Sequence, residues 1–210
     1  MRESRRMPKK YQKVLDLKPT QFAVGILEVQ EKITEFQKLK KKQLKRLVAD
    51  TPIPIVISPK KEMYLVDHHH FLFVCWALGI KRVRVEVITD LSKKEMTFTQ
   101  FWRFMTKKNF FYRYCQFGEG PRESLYLPQD IRGLADDPYR SLAWFVRHEA
   151  GYKNSDKTFA EFQWANFFRE KKLLHRHGRK GFTKAVEKAV SLAQSDEARG
   201  LPGYTGADRK

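Results

Sequence analysis

One segment constrains the fold more than any other: two short apolar strands are followed, with no loop, by three histidines and an apolar helix. Ile55-Val56-Ile57 and Met63-Tyr64-Leu65-Val66 are predicted to form a hairpin, because Pro59-Lys60-Lys61 between them has the composition of a turn. Residues 68–78 then indicate a helix that is apolar nearly all round and stops at Gly79. A helix without a polar face has to be buried, so the hairpin and this helix are expected to share a core.

The flanking segments extend this order of elements. Residues 22–29 indicate a strand around Gly25, with Glu28 near its end. From Val29 to Leu47 the apolar period changes to that of an amphipathic helix with a basic side. Apolar and charged residues then alternate over Arg82–Ile88, which indicates another strand.

The second half of the chain is predicted to be helical. Ser92–Glu95 and Thr158–Glu161 fit capping boxes, and Asp136-Asp137-Pro138 has the cap and proline of a helix start. The expected class is α+β: a small mixed sheet with buried helices and a helical C-terminal half. The expected division is a basic N-terminal arm over 1–20, a core over 21–92, a helical extension over 93–194 and a loose tail over 195–210.

Charge points to a polyanionic partner. The 42 lysines and arginines outnumber the 24 acidic residues, which gives a net charge of +18. A solvated basic face is at least as good an interpretation of each cationic stretch as a contact with nucleic acid. The residues predicted to contact nucleic acid are Lys38, Lys41, Lys42, Lys45, Arg46, Arg176 and Arg179.

The cysteines and the apolar runs predict the compartment. Cys75 and Cys115 lie in apolar surroundings without metal-ligand spacing, which indicates a reducing environment. The longest apolar run, residues 71–78, is too short for a bilayer, and no apolar signal segment follows the charged start. We therefore expect a cytoplasmic protein that does not cross a membrane.

The turn Asp67-His68-His69-His70 is the sharpest candidate site. Unpaired amides and the helix dipole attract phosphate to a helix start, and His68, His69 and His70 add donors and proton carriers. Asp67 can cap the helix, orient a histidine or hold a magnesium ion bound to a nucleotide. The alternative is that Asp67 is only a cap and the histidines have no chemical role.

A second group of polar residues lies in the C-terminal half. Arg140 can clamp a phosphate or a carboxylate through two parallel hydrogen bonds. Asp137 is a better candidate for a helix cap than for a catalyst, and Glu161 completes the predicted capping box. Trp164 and Phe168 are expected in the core rather than on a surface where bases stack.

The succession of hairpin, Asp67–His70, buried helix and strand resembles the ParB/sulfiredoxin-like fold. From about Phe22 through the aromatic helices, the chain resembles the ParB-like nucleases. The stretches that carry the resemblance are Asp67-His68-His69-His70, Phe101-Trp102, Asp136-Asp137-Pro138-Tyr139-Arg140-Ser141-Leu142-Ala143 and Phe159-Ala160-Glu161-Phe162-Gln163-Trp164-Ala165.

The resemblance implies phosphate chemistry. ParB proteins bind a cytidine nucleotide and DNA, and archaeal free-serine kinases use a similar turn and a glutamate after the first strand. By this resemblance Glu28 is the expected general base, and His69 and His70 are expected to contact phosphate. Magnesium with a nucleoside diphosphate or triphosphate is the expected cofactor. Sulfiredoxins need a cysteine where this chain has a histidine, which argues against their activity here.

Three functions follow from these features. The first is a phosphate-handling enzyme, a nuclease or a nucleotide-dependent phosphotransferase, with Glu28, Asp67 and His69 catalytic and His68, His70 and Arg140 binding phosphate. The second is a non-catalytic protein that binds nucleic acid through its basic helix faces. The third is a zinc hydrolase, which is disfavoured because adjacent histidines at a helix start point in different directions.

Overall fold

The chain divides into two units in the computed structural model, which describes residues 10–174 and 178–206, with only the backbone at 178 and 179. The first unit contains the described residues up to 22, residues 31–113 and residues 123–134. The second contains residues 23–30, residues 114–122 and the described residues from 135 onwards. The mixture of strands and helices confirms the α+β class.

The regular elements are numbered in chain order. The strands are β1 Lys10–Lys13, β2 Leu17–Lys18, β3 Ala23–Val24, β4 Ile53–Ile57, β5 Met63–Leu65, β6 Arg82–Asp90 and β7 Ala135–Asp136. The α-helices are α1 Ile26–Gln37, α2 Lys41–Asp50, α3 His69–Ala77, α4 Phe98–Lys107, α5 Pro138–His148, α6 Ala160–Glu170 and α7 Gly178–Ala193. None of the helices that the coordinates define has both the length and the apolar character needed to cross a bilayer.

A five-stranded mixed sheet in the order β1-β6-β4-β5-β2 organises the first unit. Strand β4 lies at its centre, antiparallel to β5 and parallel to β6. Ile53, Ile55 and Val56 of β4 are completely buried, as expected for a strand with neighbours on both edges. The predicted hairpin and the strand from Arg82 are confirmed, and β6 runs two residues further than predicted.

Part of the predicted N-terminal arm belongs to this sheet. Strand β1 pairs antiparallel with β6, and β2 pairs parallel with β5. Val14 and Leu17, which lie between and within these strands, are buried at 2% and 0% exposure. Their burial gives the segment an apolar anchor in the core, so residues 10–18 form two short strands joined by a 3-10 helix turn rather than a free arm.

Helix α1 begins three residues before the position that the apolar period predicted. The predicted strand over 22–29 is therefore wrong beyond β3, and Glu28 lies in the first turn of a helix. Asp136 Oδ1 accepts a hydrogen bond from the Ile26 N–H at 2.9 Å, and Ser141 Oγ accepts one from the Leu27 N–H at 3.1 Å. These two caps satisfy helix-start amides, which explains the early helix start after Gly25.

The single amphipathic helix predicted over 29–47 is two helices. Helix α1 ends at Gln37, and Lys40 has an extended backbone before α2 begins. Gln43 Oε1 accepts a hydrogen bond from the Lys40 N–H at 2.8 Å, which stabilises the new helix start. Arg84 of β6 donates to the Ala49 carbonyl at 2.7 Å and thereby ties the end of α2 to the sheet.

The second unit has its own core between α5, α6 and α7. Trp164 and Phe168 are completely buried, which confirms their predicted place in the core. The Trp164 ring stacks on Tyr152 at 4.2 Å, and its indole N–H donates to the Pro202 carbonyl at 2.7 Å. That last contact fixes the chain around residue 202, so part of the predicted loose tail is packed on this core.

Candidate functional site

The turn before α3 exposes Asp67 and His68. His68 has φ 65° and ψ 27°, a left-handed conformation that is uncommon for a residue with a side chain. Asp67 Oδ1 accepts a hydrogen bond from the His68 N–H at 2.6 Å. Helix α3 begins at His69, one residue later than predicted, and the Leu72 N–H donates a hydrogen bond to the His68 carbonyl at 2.8 Å.

The His69 ring is buried and has a structural partner. Its Nε2 accepts a hydrogen bond from the Thr20 N–H at 3.1 Å, and only 5% of the residue is exposed. This contact requires a lone pair on Nε2, so the proton of the neutral ring is on Nδ1. The Thr20 hydroxyl in turn donates to the Leu65 carbonyl at 2.8 Å. His69 therefore joins the start of α3 to the segment after β2.

The three adjacent histidines do not share one environment. His70 is buried like His69, with 9% exposure, whereas His68 is exposed and has its ring 6.3 Å from that of Phe71. Successive residues of a helix point about 100° apart, which separates neighbouring side chains in this way. His68 and Asp67 are thus the side chains of the turn that can meet a ligand from solvent.

The described side chains do not gather into a site with three protein ligands for a metal ion. Within residues 10–174 and 178–206 no group of three or more His, Cys, Asp or Glu side chains could hold a metal ion. Structural and catalytic zinc sites need at least three protein ligands, so the zinc alternative gains no support. Magnesium often uses one or two carboxylates together with substrate phosphates. The magnesium predicted at Asp67 therefore stays a prediction.

Two further predicted site residues, Glu28 and Arg140, lie in the second unit. Glu28 is 2% exposed, and its backbone N–H donates to Ser141 Oγ at 3.4 Å. Arg140 is 4% exposed, and its guanidinium lies 3.6 Å over the ring of Phe162. Arg140 Nη2 donates to Glu161 at 3.0 Å, whereas its Nε and Nη1 are buried without an acceptor among the described residues.

Glu161 does not complete a capping box, contrary to the sequence prediction. Helix α6 begins at Ala160 after Phe159, whose left-handed backbone, φ 60°, replaces the predicted threonine cap. The Glu161 carboxylate instead accepts from Arg140 at 3.0 Å and from Arg147 at 2.6 Å. It therefore balances two guanidinium groups within the helical core.

Asp137 is the helix cap that the sequence predicted. Its Oδ1 accepts a hydrogen bond from the Tyr139 N–H at 3.0 Å at the start of α5. Arg169 Nη2 donates to both carboxylate oxygens, at 2.8 and 2.6 Å. Burial raises the pKa of Asp137, and the charge of Arg169 offsets this only in part. Asp137 is consequently occupied on both sides by structural partners.

The capping box of α4 also differs from the predicted one. It consists of Thr97 and Gln100 rather than Ser92 and Glu95: Thr97 Oγ1 accepts from the Gln100 N–H at 3.2 Å, and Gln100 Oε1 accepts from the Thr97 N–H at 2.8 Å. The helix consequently starts at Phe98, which places that aromatic ring on an exposed first turn.

Helix α2 presents the predicted basic face to solvent. Its one buried residue is Val48, and Arg46 pairs with Asp50 at 3.4 Å. The other predicted cations of this face make no ion pair with any residue in the described ranges. They are Lys38, Lys41, Lys42 and Lys45, all exposed. Arg176 lies outside the described residues, and only the backbone of Arg179 is described.

Arg147 and Arg169 were not predicted as partners of the polar cluster. Each lies more than ten residues from the carboxylate that it contacts, so no local spacing signals the pair. The predicted catalytic residues also divide between the units, with Asp67 and His69 in the first and Glu28 in the second.

Comparison with known proteins identifies a family and a similar solved structure. Residues 11–170 match the model of the family described as "Putative ParB-like nuclease". The crystal structure of protein Atu1540 from Agrobacterium tumefaciens is similar to this chain, with 32% sequence identity and a TM-score of 0.81. The similarity covers 95% of this chain and 98% of that one. No curated protein matches the sequence.

Proposed function

The chain belongs to the ParB-like nuclease family, as its sequence resemblance indicated, and on this premise we propose that it binds nucleic acid through the basic face around α2. Membership in the family supports a function related to nucleic acid. The observation that carries the proposal is a set of exposed lysines, none of which forms an ion pair with a described residue: Lys38, Lys41, Lys42 and Lys45. Because no carboxylate of the described ranges neutralises them, their charge is available to phosphates.

Binding by this face is expected to depend strongly on salt. Each lysine that neutralises a phosphate of duplex DNA releases condensed counterions, and each contact adds about −0.9 to the slope of log K against log salt concentration. Val48 of α2 is buried and the Ala49 carbonyl accepts a hydrogen bond from Arg84 of β6, whereas the four lysines are exposed, so changes on the basic face are not expected to disturb folding.

The test replaces Lys38, Lys41, Lys42 and Lys45 with glutamine and measures duplex binding by fluorescence anisotropy over a series of salt concentrations. If all four lysines contact phosphates, the magnitude of the slope of log K against log salt concentration decreases by about 3 to 4 in this variant. A matched control removes the same charge at Lys81, Lys93, Lys94 and Lys108, which are exposed elsewhere in the first unit. Equal losses in both variants, or no duplex binding by the unaltered protein, would contradict the proposal.

A second candidate function is phosphate chemistry at the turn before α3. One observation favours it: the left-handed backbone of exposed His68 beside Asp67. Strained backbone is enriched at functional sites. In this proposal Asp67 orients His68 or holds magnesium, and His68 binds phosphate.

Nucleotide-dependent stabilisation tests this candidate. Thermal unfolding of the protein would be followed with nucleoside diphosphates and triphosphates, with and without magnesium, and cleavage of labelled nucleic acid would be measured in parallel. The matched variants are Asp67→Asn, which removes the carboxylate charge, and His68→Asn, because asparagine tolerates the left-handed backbone at that position. We expect both to lose the stabilisation. If the protein still binds duplex but shows neither stabilisation by nucleotides nor cleavage of nucleic acid, the enzymatic function is refuted and the binding function remains.

A further inference from the structure

Two cavities in the first unit flank the same pair of aromatic side chains, Phe98 and Trp102 of α4. One cavity of about 150 Å³ extends from this pair to Lys60 and Leu125. The other, of about 410 Å³, extends from it to Arg103 and Lys107. We call this surface the α4 groove and define it by Lys60, Phe98, Trp102, Arg103, Lys107 and Leu125.

The α4 groove exposes large apolar side chains. Phe98 is 52% exposed and Leu125 is 75% exposed, and Tyr126, the next residue, is 70% exposed. Trp102 supports Phe98 from below: their ring centroids lie 6.2 Å apart and the rings are tilted by 64°. An exposed ring that packs on a buried aromatic residue, beside an exposed aliphatic side chain, is typical of binding surfaces rather than of inert surface.

The charged side chains of the groove leave a net positive surface. Both carboxylates that line the cavities are already paired: Glu62 accepts from Lys18 at 2.6 Å, and Glu123 accepts from Arg113 at 3.2 Å. Three cations, Lys60, Arg103 and Lys107, make no ion pair with a residue whose position is described. The partner that complements this surface is therefore anionic.

Trp102 lines both cavities, and 7% of the residue is exposed. Its indole N–H has no acceptor within the described ranges but is itself shielded from solvent. The cavities therefore present the ring of Trp102 to a ligand rather than this donor.

We propose that the α4 groove binds single-stranded nucleic acid, with an unpaired base stacked on Phe98 and phosphates held by Lys60, Arg103 and Lys107. Exposed aromatic rings beside unpaired cations are the combination that recognises single strands, because every base has a face that can stack. A duplex hides those faces inside its helix. The inference rests on the proposed nucleic-acid function and adds a second surface and a preferred strand form to it.

The test compares binding of a labelled oligo-dT of about 15 nucleotides, within the site sizes of single-strand binders, with binding of a duplex of the same length. Phe98→Ala is expected to weaken oligo-dT binding by about fivefold or more, since a lost stack is worth roughly five- to 150-fold. Duplex binding is expected to stay within twofold. Phe117→Ala is the matched control, because Phe117 is an aromatic residue with 63% exposure outside the groove. An oligo-uridine of equal length shows whether RNA or DNA is preferred.

A second variant covers the case in which the aromatic change disturbs folding. Arg103→Gln combined with Lys107→Gln alters only exposed charges. For oligo-dT it is expected to decrease the magnitude of the slope of log K against log salt concentration by about 0.7 per lost contact. Its control carries Lys93→Gln and Lys94→Gln. Oligo-dT binding that survives both groove variants, or no oligo-dT binding by the unaltered protein, overturns the inference. If only the α2 lysine variant weakens oligo-dT, the proposed function stands and the groove does not.

Discussion

Replacement of His69 separates its structural role from the predicted catalytic one. The ring accepts a hydrogen bond from the buried Thr20 N–H at 3.1 Å, so His69→Leu leaves this donor without a partner. An orphaned buried donor costs about 1 to 3 kcal/mol of unfolding free energy. In a chain of this length that corresponds to a fall of about 2 to 12 °C in the midpoint of thermal unfolding. Leucine fills much of the ring's volume, so the lost hydrogen bond dominates the effect.

His69→Gln is the matched variant, because its Oε1 can take the place of Nε2 as an acceptor. We expect it to recover more than half of the stability that His69→Leu loses, measured by urea unfolding and by calorimetry. The reasoning fails if His69→Leu is as stable as the unaltered protein, or if His69→Gln is as unstable as His69→Leu. Nucleotide-dependent stabilisation separates the two roles of His69. Its loss in a stable His69→Gln variant indicates that the imidazole takes part in nucleotide binding or catalysis, and its retention indicates that the residue is a structural anchor.

Three further predictions concern side chains away from this turn. Burial raises the pKa of Glu62, but hydrogen bonds from Lys18 and Tyr64 outweigh this effect, so the pKa is lowered. Thermal scans should therefore show the whole stability difference between the unaltered protein and Glu62→Gln above about pH 4.3, and this difference should vanish at lower pH. Burial raises the pKa of the Cys75 thiol to about 12, so mass spectrometry should find maleimide on Cys75 only after unfolding, and labelling of the folded protein would contradict this. In Gly25→Ala the new Cβ would lie 2.6 Å from Oγ of Ser141, which should cost about 1 to 3 kcal/mol in urea unfolding; an equally stable variant would show that the backbones separate freely.

Elements with a strong local pattern could be predicted from the sequence. The β4–β5 hairpin, the buried helix α3 and strand β6 have turns, apolar runs or alternation within about ten residues. Strands β1 and β2 are four and two residues long, and β1 pairs with residues some 70 positions away, as Lys10 does with Val85. Their pairing depends on long-range contacts, so the sequence of the segment alone suggested an arm.

The same distinction applies to the polar residues. Asp137 was predicted as a cap because the groups that it caps follow it directly in sequence. Glu161 has an equally good local pattern, but Arg140 and Arg147 compete for its carboxylate and the helix starts elsewhere. A guanidinium from another helix forms charge-assisted hydrogen bonds that are stronger than a neutral cap, so tertiary contacts override the box.

Three consecutive histidines suggested one site because their chemistry is alike, but a helix start gives each a different surrounding. His68 is the last residue before α3 and is exposed to solvent, whereas His69 and His70 lie in the first turn of the helix and are buried. Chemical composition alone therefore overstates the number of imidazoles available to a ligand. Some exposed cations on α2 and in the α4 groove make no ion pair with a described residue. They had weaker sequence signals, because their availability depends on which neighbouring carboxylates are already paired.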